Sequence, residues 1–147
     1  MKKILIAAAT LLSTVVLAGS HAEVNEKVLK AFNATFTTAQ EVVWQEYEDH
    51  YTVNFKQSEI QTRVRYDKEG NMIESFRHYG EDQLPPLIVN RVKTKYTDKK
   101  IFGVTERSST NDMVYHVVLE GKKDWTKIKV DISGHIEVEE KYLKASK

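Results

Sequence analysis

The sequence predicts an α+β fold, a tandem repeat of one helix followed by a four-stranded antiparallel sheet. Three observations predict it. Apolar residues recur every four positions at Val24, Val28, Phe32 and Phe36, and again at Ile88, Val92 and Tyr96. Each of these stretches is followed by text of period two, such as Tyr51-Thr52-Val53-Asn54-Phe55 and Tyr115-His116-Val117. The same turn residues then return at one offset, Asp67 with Gly70 and Asp131 with Gly134.

The first 22 residues are not expected to join that fold. Lys2 and Lys3 form a basic start, Ile4 to Ala18 is apolar but for Thr10, Ser13 and Thr14, and Ser20-His21-Ala22 supplies a small-residue cleavage site. That is the three-part pattern of a secretory signal. The apolar run has 15 residues, whereas a spanning helix needs about 20. Cleavage after Ala22 leaves 125 residues with 20 basic and 21 acidic side chains, a net charge of −1. The expected location is periplasmic or secreted, with no membrane contact after cleavage. A chain this long is one domain by size, here made of two repeat units, 23–81 and 82–147. Near-neutral charge argues against nucleic acid as the main partner. With no Cys in the sequence, disulfides, thiol catalysis and thiolate-bound metals are excluded.

A helix is predicted over 24–36, its polar back formed by Asn25, Glu26, Lys27, Lys30 and Asn33. A strand then starts at Val42 and Trp44. The succession Val42-Val43-Trp44 predicts burial on both faces, with Trp44 in the core. Tyr51, Val53 and Phe55 alternate with polar residues, as do Thr62, Val64 and Tyr66 with Arg63 and Arg65. These are half-buried antiparallel strands. Asp67-Lys68-Glu69-Gly70 is a type I turn closed by a left-handed Gly, and the returning strand runs from about Asn71 to Tyr79.

The pattern then restarts. Pro85 and Pro86 suit the first turn of a helix, where no backbone donor is needed. Ile88, Val92 and Tyr96 lie 60 positions after Val28, Phe32 and Phe36. Beyond Ser108 the offset becomes 64, pairing Tyr51, Val53 and Phe55 with Tyr115, Val117 and Leu119. One duplication with four inserted residues explains both offsets. The insertion, around Ser108–Asp112, is expected in the first hairpin loop of the second copy.

The strings Ala31-Phe32, Val42-Val43-Trp44, Tyr51-Thr52-Val53-Asn54-Phe55 and Tyr66-Asp67-Lys68-Glu69-Gly70-Asn71 resemble the PepSY-like family of β-lactamase-inhibitor-like proteins. Leu84-Pro85-Pro86 and Val130-Asp131 with Gly134 resemble its second half. The likeness covers nearly the whole mature chain, and its motifs determine fold rather than activity. It implies a periplasmic or secreted protein of tandem helix-plus-four-strand units. Inhibitors of similar fold hold their enzyme on a concave sheet surface. They carry disulfides that this sequence lacks, so inhibition is a fold-level analogy.

No nucleophile elbow, zinc-protease motif, phosphate loop or cofactor fingerprint is present, and the expected reading is non-catalytic, with no cofactor. His50, His78, His116 and His135 are scattered and fit surface histidines. Asp67, Glu69 and Asn71 give a faint alternation of oxygens, too few for a twelve-residue calcium loop. More informative is the sheet face turned away from the helices. If Val64 and Tyr66 face inward, Arg63 and Arg65 face outward, and Trp125, Lys127 and Lys129 do so in the second copy. Counting back from the turns puts Arg65 opposite Ile73 and Arg63 opposite Ser75, leaving both arginines unpaired. It puts Lys129 opposite Glu137 and Lys127 opposite Glu139, as ordinary cross-strand pairs. The expected contact surface is therefore Arg63, Arg65 and Ile73, with Trp125, Lys127 and Lys129. Arg suits carboxylate recognition through its planar fork, and Trp and Arg are common binding anchors. A protein or peptide partner on this face is the leading expectation, and a calcium- or small-ligand-responsive module is the alternative. An enzyme would need a deep cavity with perturbed titratable groups.

Overall fold

The computed structural model describes residues 23–145, so the signal-like segment lies outside the described residues. The chain runs α1 (Glu26–Thr35), β1 (Gln40–Glu46), β2 (His50–Gln57), β3 (Ile60–Asp67) and β4 (Met72–Tyr79). After a short 3₁₀ turn, Glu81–Gln83, it continues through α2 (Pro86–Lys95), β5 (Lys100–Ser109), β6 (Met113–Glu120), β7 (Asp124–Asp131) and β8 (Ile136–Leu143). The eight strands form one antiparallel sheet in sequence order.

Helix α1 begins where a side chain can satisfy its free amides. Asn25 Oδ1 accepts from the Val28 N–H at 3.0 Å, and Asn25 Nδ2 donates to the Lys68 carbonyl at 2.8 Å. The first bond caps the helix, and the second ties its start to the β3–β4 turn. Helix α2 uses the proline solution, with Pro86 at its first position. Val28 and Phe32 of α1 and Ile88 and Val92 of α2 are the buried helical side chains.

Each helix lies on its own half of the sheet, over its own core. Val28, Phe32, Tyr51, Val53, Phe55, Val64 and Tyr66 make the first. Ile88, Val92, Tyr115, Val117, Leu119, Ile128 and Val130 occupy the repeat-equivalent places in the second, joined by Leu84 and Val104. Burying each such side chain is worth about 1.5–3 kcal/mol, and with two cores of this size no disulfide is needed. Trp44 packs edge-on against Phe32 at 5.2 Å, as its core assignment requires. Its neighbours depart from expectation. Val42 and Val43 are exposed, because β1 is an edge strand with nothing over its outer face.

The turns form as the sequence predicts. Gly70 and Gly134 have φ of +92° and +85°, and each closes back to the carbonyl of its turn Asp, at 3.2 and 3.0 Å. The position of the insertion differs from expectation. The β1–β2 and β5–β6 loops both span three residues, and the added length sits in β5, ten residues against seven in β1. The reason is pairing. Val104–Ser109 of β5 bond to Glu74–Tyr79 of β4, so the longer strand welds the two units into one sheet.

Candidate functional site

Because the helices cover one side of the sheet, period-two alternation leaves the other side bare. Its residues follow from strand pairing. Thr52, Asn54, Arg63 and Arg65 of the first unit are continuous with Glu74, Phe76 and His78 of β4 and Arg107 and Thr105 of β5. Val114, His116, Val118, Lys129, Lys127, Trp125 and Tyr142 extend the surface to the far edge.

At the centre lies a charge ladder that sequence counting missed. Glu74, whose side chain is 11% exposed, accepts from Arg65 at 2.6 Å and from Arg107 at 3.2 Å. Arg107 also reaches Asp112 at 3.3 Å. The expected register, Arg65 opposite Ile73 and Arg63 opposite Ser75, is therefore corrected. A bulge between Arg65 and Tyr66 leaves Ile73 as the extra residue of β4, so Arg65 faces Glu74 and Arg63 faces Phe76. One inserted residue shifts every later partner by one. Arg65 is accordingly ion-paired, while among the described residues Arg63 hydrogen-bonds only to the neutral Asn54 Oδ1, at 2.9 Å. The Arg65 Nε itself is buried without a partner. No sequence signal marks this bulge, and Arg107 enters the ladder only through the β4–β5 pairing.

In the second unit Lys129 does face Glu137, with 3.8 Å between the charges. A bulge between Lys127 and Ile128 places Lys127 opposite Glu140 instead of Glu139, though Glu139 remains 3.8 Å from its ammonium and 3.0 Å from His116. Trp125 sits at the end of the face. Phe102 meets it edge-on at 4.9 Å, the Lys144 ammonium lies 4.8 Å from its ring centre, and Tyr142 is its strand partner. Phe102 is 65% exposed and Tyr142 52% exposed. Phe102 reaches this position because a bulge between Ile101 and Gly103 turns it onto the bare side. Its offset equivalence to Val42 is the only trace of this in the sequence.

Between the two cores, on the helix side, Glu106 is buried. It accepts from Arg77 at 3.1 Å and from the Tyr79 hydroxyl at 2.5 Å. Burial, then the bond to Glu106, pushes the Tyr79 phenol well above its ordinary value. Burial alone pushes Tyr66 up to about 12. Arg77, Tyr79 and Glu106 join β4 to β5 where the two hydrophobic clusters meet.

The Asp67 oxygens at the first turn are already engaged. Asp67 Oδ1 accepts from the Glu69 and Asn71 amides at 3.0 and 2.8 Å, and Oδ2 from Asn71 Nδ2 at 2.8 Å. The Asn71 bonds hold its carboxyl below the usual carboxylate range. Bonds from Ser133 and His135 do the same for Asp131. Among the described residues no group of three or more His, Asp or Glu is placed to hold a metal ion, and no helix is long and apolar enough to cross a membrane.

Two helices, each followed by four antiparallel strands of one open eight-stranded sheet, define the BLIP-like (β-lactamase-inhibitor-protein-like) fold class. Solved structures of several Bacteroides proteins superpose on this chain. A BLIP-like protein from Bacteroides fragilis superposes with a TM-score of 0.65 at 14% identity, over 83% of this chain and 89% of that one. A DUF2874 family protein from Bacteroides uniformis gives 0.61 at 18%, over 81% and 88%. A protein from Bacteroides eggerthii, provisionally assigned to the periplasm, gives 0.61 at 16%, over 81% and 88%. No family profile matches the sequence, and no curated protein matches it. At these identities the likeness establishes the fold.

Proposed function

We propose that this chain is an exported, non-catalytic binding or inhibitory module that takes a protein or peptide partner on its open sheet face. The observation that carries the reading is the bare face itself. It runs across eight paired strands and ends in the exposed Phe102 and Tyr142 beside the half-buried Trp125. Uncovered aromatic and Arg side chains on a rigid sheet have the composition of binding hot spots. A rigid sheet also limits the entropy lost on association. Arg63, Arg65, Ile73, Trp125, Lys127 and Lys129 remain the proposed contact set. Within it Arg63 and Trp125 are the stronger members, since the paired cations must give up existing partners to engage new ones. Export is supported by the N-terminal pattern of Lys2, Lys3 and Ile4–Ala18, and by the similar fold provisionally assigned to the periplasm.

Photo-crosslinking tests the reading. A photoreactive side chain is placed at Arg63 or Tyr142 on the bare face, and at Asn33 or Asn90 on the helix side, in the protein exported by its own cells. Discrete adducts from the first pair alone are expected, together with a mature N-terminus at Glu23. Titration of purified β-lactamases tests the inhibitory form directly. Adducts confined to Asn33 and Asn90 would overturn the assignment of the face.

A further inference from the structure

The two units are copies, so each serves as a reference for the other. One chemical difference between them lies on the helix side, away from the proposed partner face and independent of it. A groove of about 380 Å³ runs between α2 and the β7–β8 turn, and its basic lining residues are Arg91, Lys95 and His135. At the repeat-equivalent positions the first unit has Ala31, Thr35 and Asn71. Three neutral residues in one copy are thus three basic ones in the other, and all three converge on one groove.

The groove exists because α2 meets its turn differently from α1. In the first unit a Cβ on Gly70 would stand 3.0 Å from the Lys27 carbonyl, so helix backbone rests on the turn. In the second, the nearest atoms to a Cβ on Gly134 belong to the Arg91 side chain, the first at 2.9 Å. The Arg91 stem therefore lies on the bare Gly134 surface, with its guanidinium carried to the groove. Neither Arg91 nor Lys95 forms an ion pair among the described residues, whereas nearby Lys93 pairs with Glu81 and Lys99 with Asp124. The acids close by are engaged. Asp131 accepts three bonds from Ser133 and His135, and Glu137 lies 3.8 Å from both His135 and Lys129.

We propose that this groove is a binding site for a phosphate group. An Arg fork and a Lys ammonium supply two full charges and several donors to a tetrahedral oxyanion. The Thr94 hydroxyl lines the same groove and adds a neutral donor. His135 closes the third side. The phosphate could be free, as inorganic phosphate or a small phosphate monoester, or carried on a lipid headgroup.

The probe is inorganic phosphate, titrated into the isotope-labelled mature chain and followed by amide chemical shifts at constant ionic strength. Glycerol phosphate and vesicles with and without an anionic phospholipid are run in parallel to separate the sources. The variant is Arg91→Ala/Lys95→Thr/His135→Asn, which installs the residues of the first unit. Saturable shifts at Arg91, Thr94, Gly134 and His135 are expected, with affinity at least about tenfold lower in the variant from the loss of charge-assisted bonds. Arg91→Ala alone serves if the triple variant melts early. Shifts that grow linearly without saturation, or that persist undiminished in the variants, overturn the proposal. Neither result bears on crosslinking from the sheet face.

Discussion

Replacing Glu74 with Gln removes one negative charge from between two arginines while keeping the side-chain shape. In the folded protein Glu74 accepts from Arg65 at 2.6 Å and Arg107 at 3.2 Å, and its side chain is only 11% exposed. A hydrogen bond to a charged partner contributes about 1.5–3 kcal/mol where solvent is excluded. Here both arginines are 35% exposed, so water screens part of each interaction, and the two together come to roughly 2 kcal/mol. For a domain of this size that corresponds to a fall in Tm of roughly 6–10 °C. Urea unfolding of the mature chain measures it, with Arg63→Met as the comparison. Among the described residues Arg63 hydrogen-bonds through its side chain only to Asn54, so its loss should cost less than about 0.5 kcal/mol. Arg65→Met should cost less than Glu74→Gln, because it also removes the Nε donor that is buried without a partner. A cycle combining Glu74→Gln with Arg65→Met should show coupling of about 1 kcal/mol. If Glu74→Gln costs under about 0.5 kcal/mol, or Arg63→Met costs as much as Glu74→Gln, the ladder does not hold the centre of the sheet.

Three further outcomes are expected. Phe32→Ala should lower stability by about 3–4 kcal/mol. Trp44 in the first unit and Trp125 in the second should still report one shared transition, because β4 and β5 pair; fluorescence resolving two transitions would show separable units. Gly70→Ala should cost about 2 kcal/mol, since the added Cβ meets both a positive φ and the Lys27 carbonyl. Gly134→Ala should cost nearer 1 kcal/mol, because Arg91 can move aside, and denaturant midpoints rank the two. Finally, Asp67 and Asp131 have carboxyl pKa values held below the ordinary 3.8 by bonds from Asn71 and Ser133. Their stabilisation is full above the unfolded value and is lost as pH falls through the folded one. Thermal melts should therefore drop below about pH 4, and Asp67→Asn/Asp131→Asn should flatten that drop.

Much of the fold is legible because its determinants are local. Val28 and Phe32 lie on one helical face whatever surrounds them, and Asp67 with Gly70 makes a turn from its own four residues. A duplication then states these local facts twice. The candidate site is less legible because it depends on register. The outward direction of Arg63, Arg65, Trp125, Lys127 and Lys129 follows from alternation alone. Their partners do not. Bulges at Ile73, beside Lys127 and at Phe102 each insert one residue into a ladder, and nothing in the composition of those strands announces them. The exposure of Val42 and Val43 was equally hidden, because hydrophobicity alone does not tell an edge strand from a central one.

By itself the sequence determined what short-range physics decides: two helix-plus-four-strand units, most of their core residues, their turns and the inward side of the inner strands β2, β3, β6 and β7. Tertiary structure alone decided how the units join. Thr110–Asp112 form the expected loop, but Ser108 and Ser109 instead extend β5, since its Val104–Ser109 backbone groups find partners on Glu74–Tyr79 of β4. That join brings Arg107 of β5 to Glu74, which the β3–β4 hairpin already sets against Arg65. Backbone amides and carbonyls look alike in any sequence, so which strand satisfies them is settled only when both are packed in space.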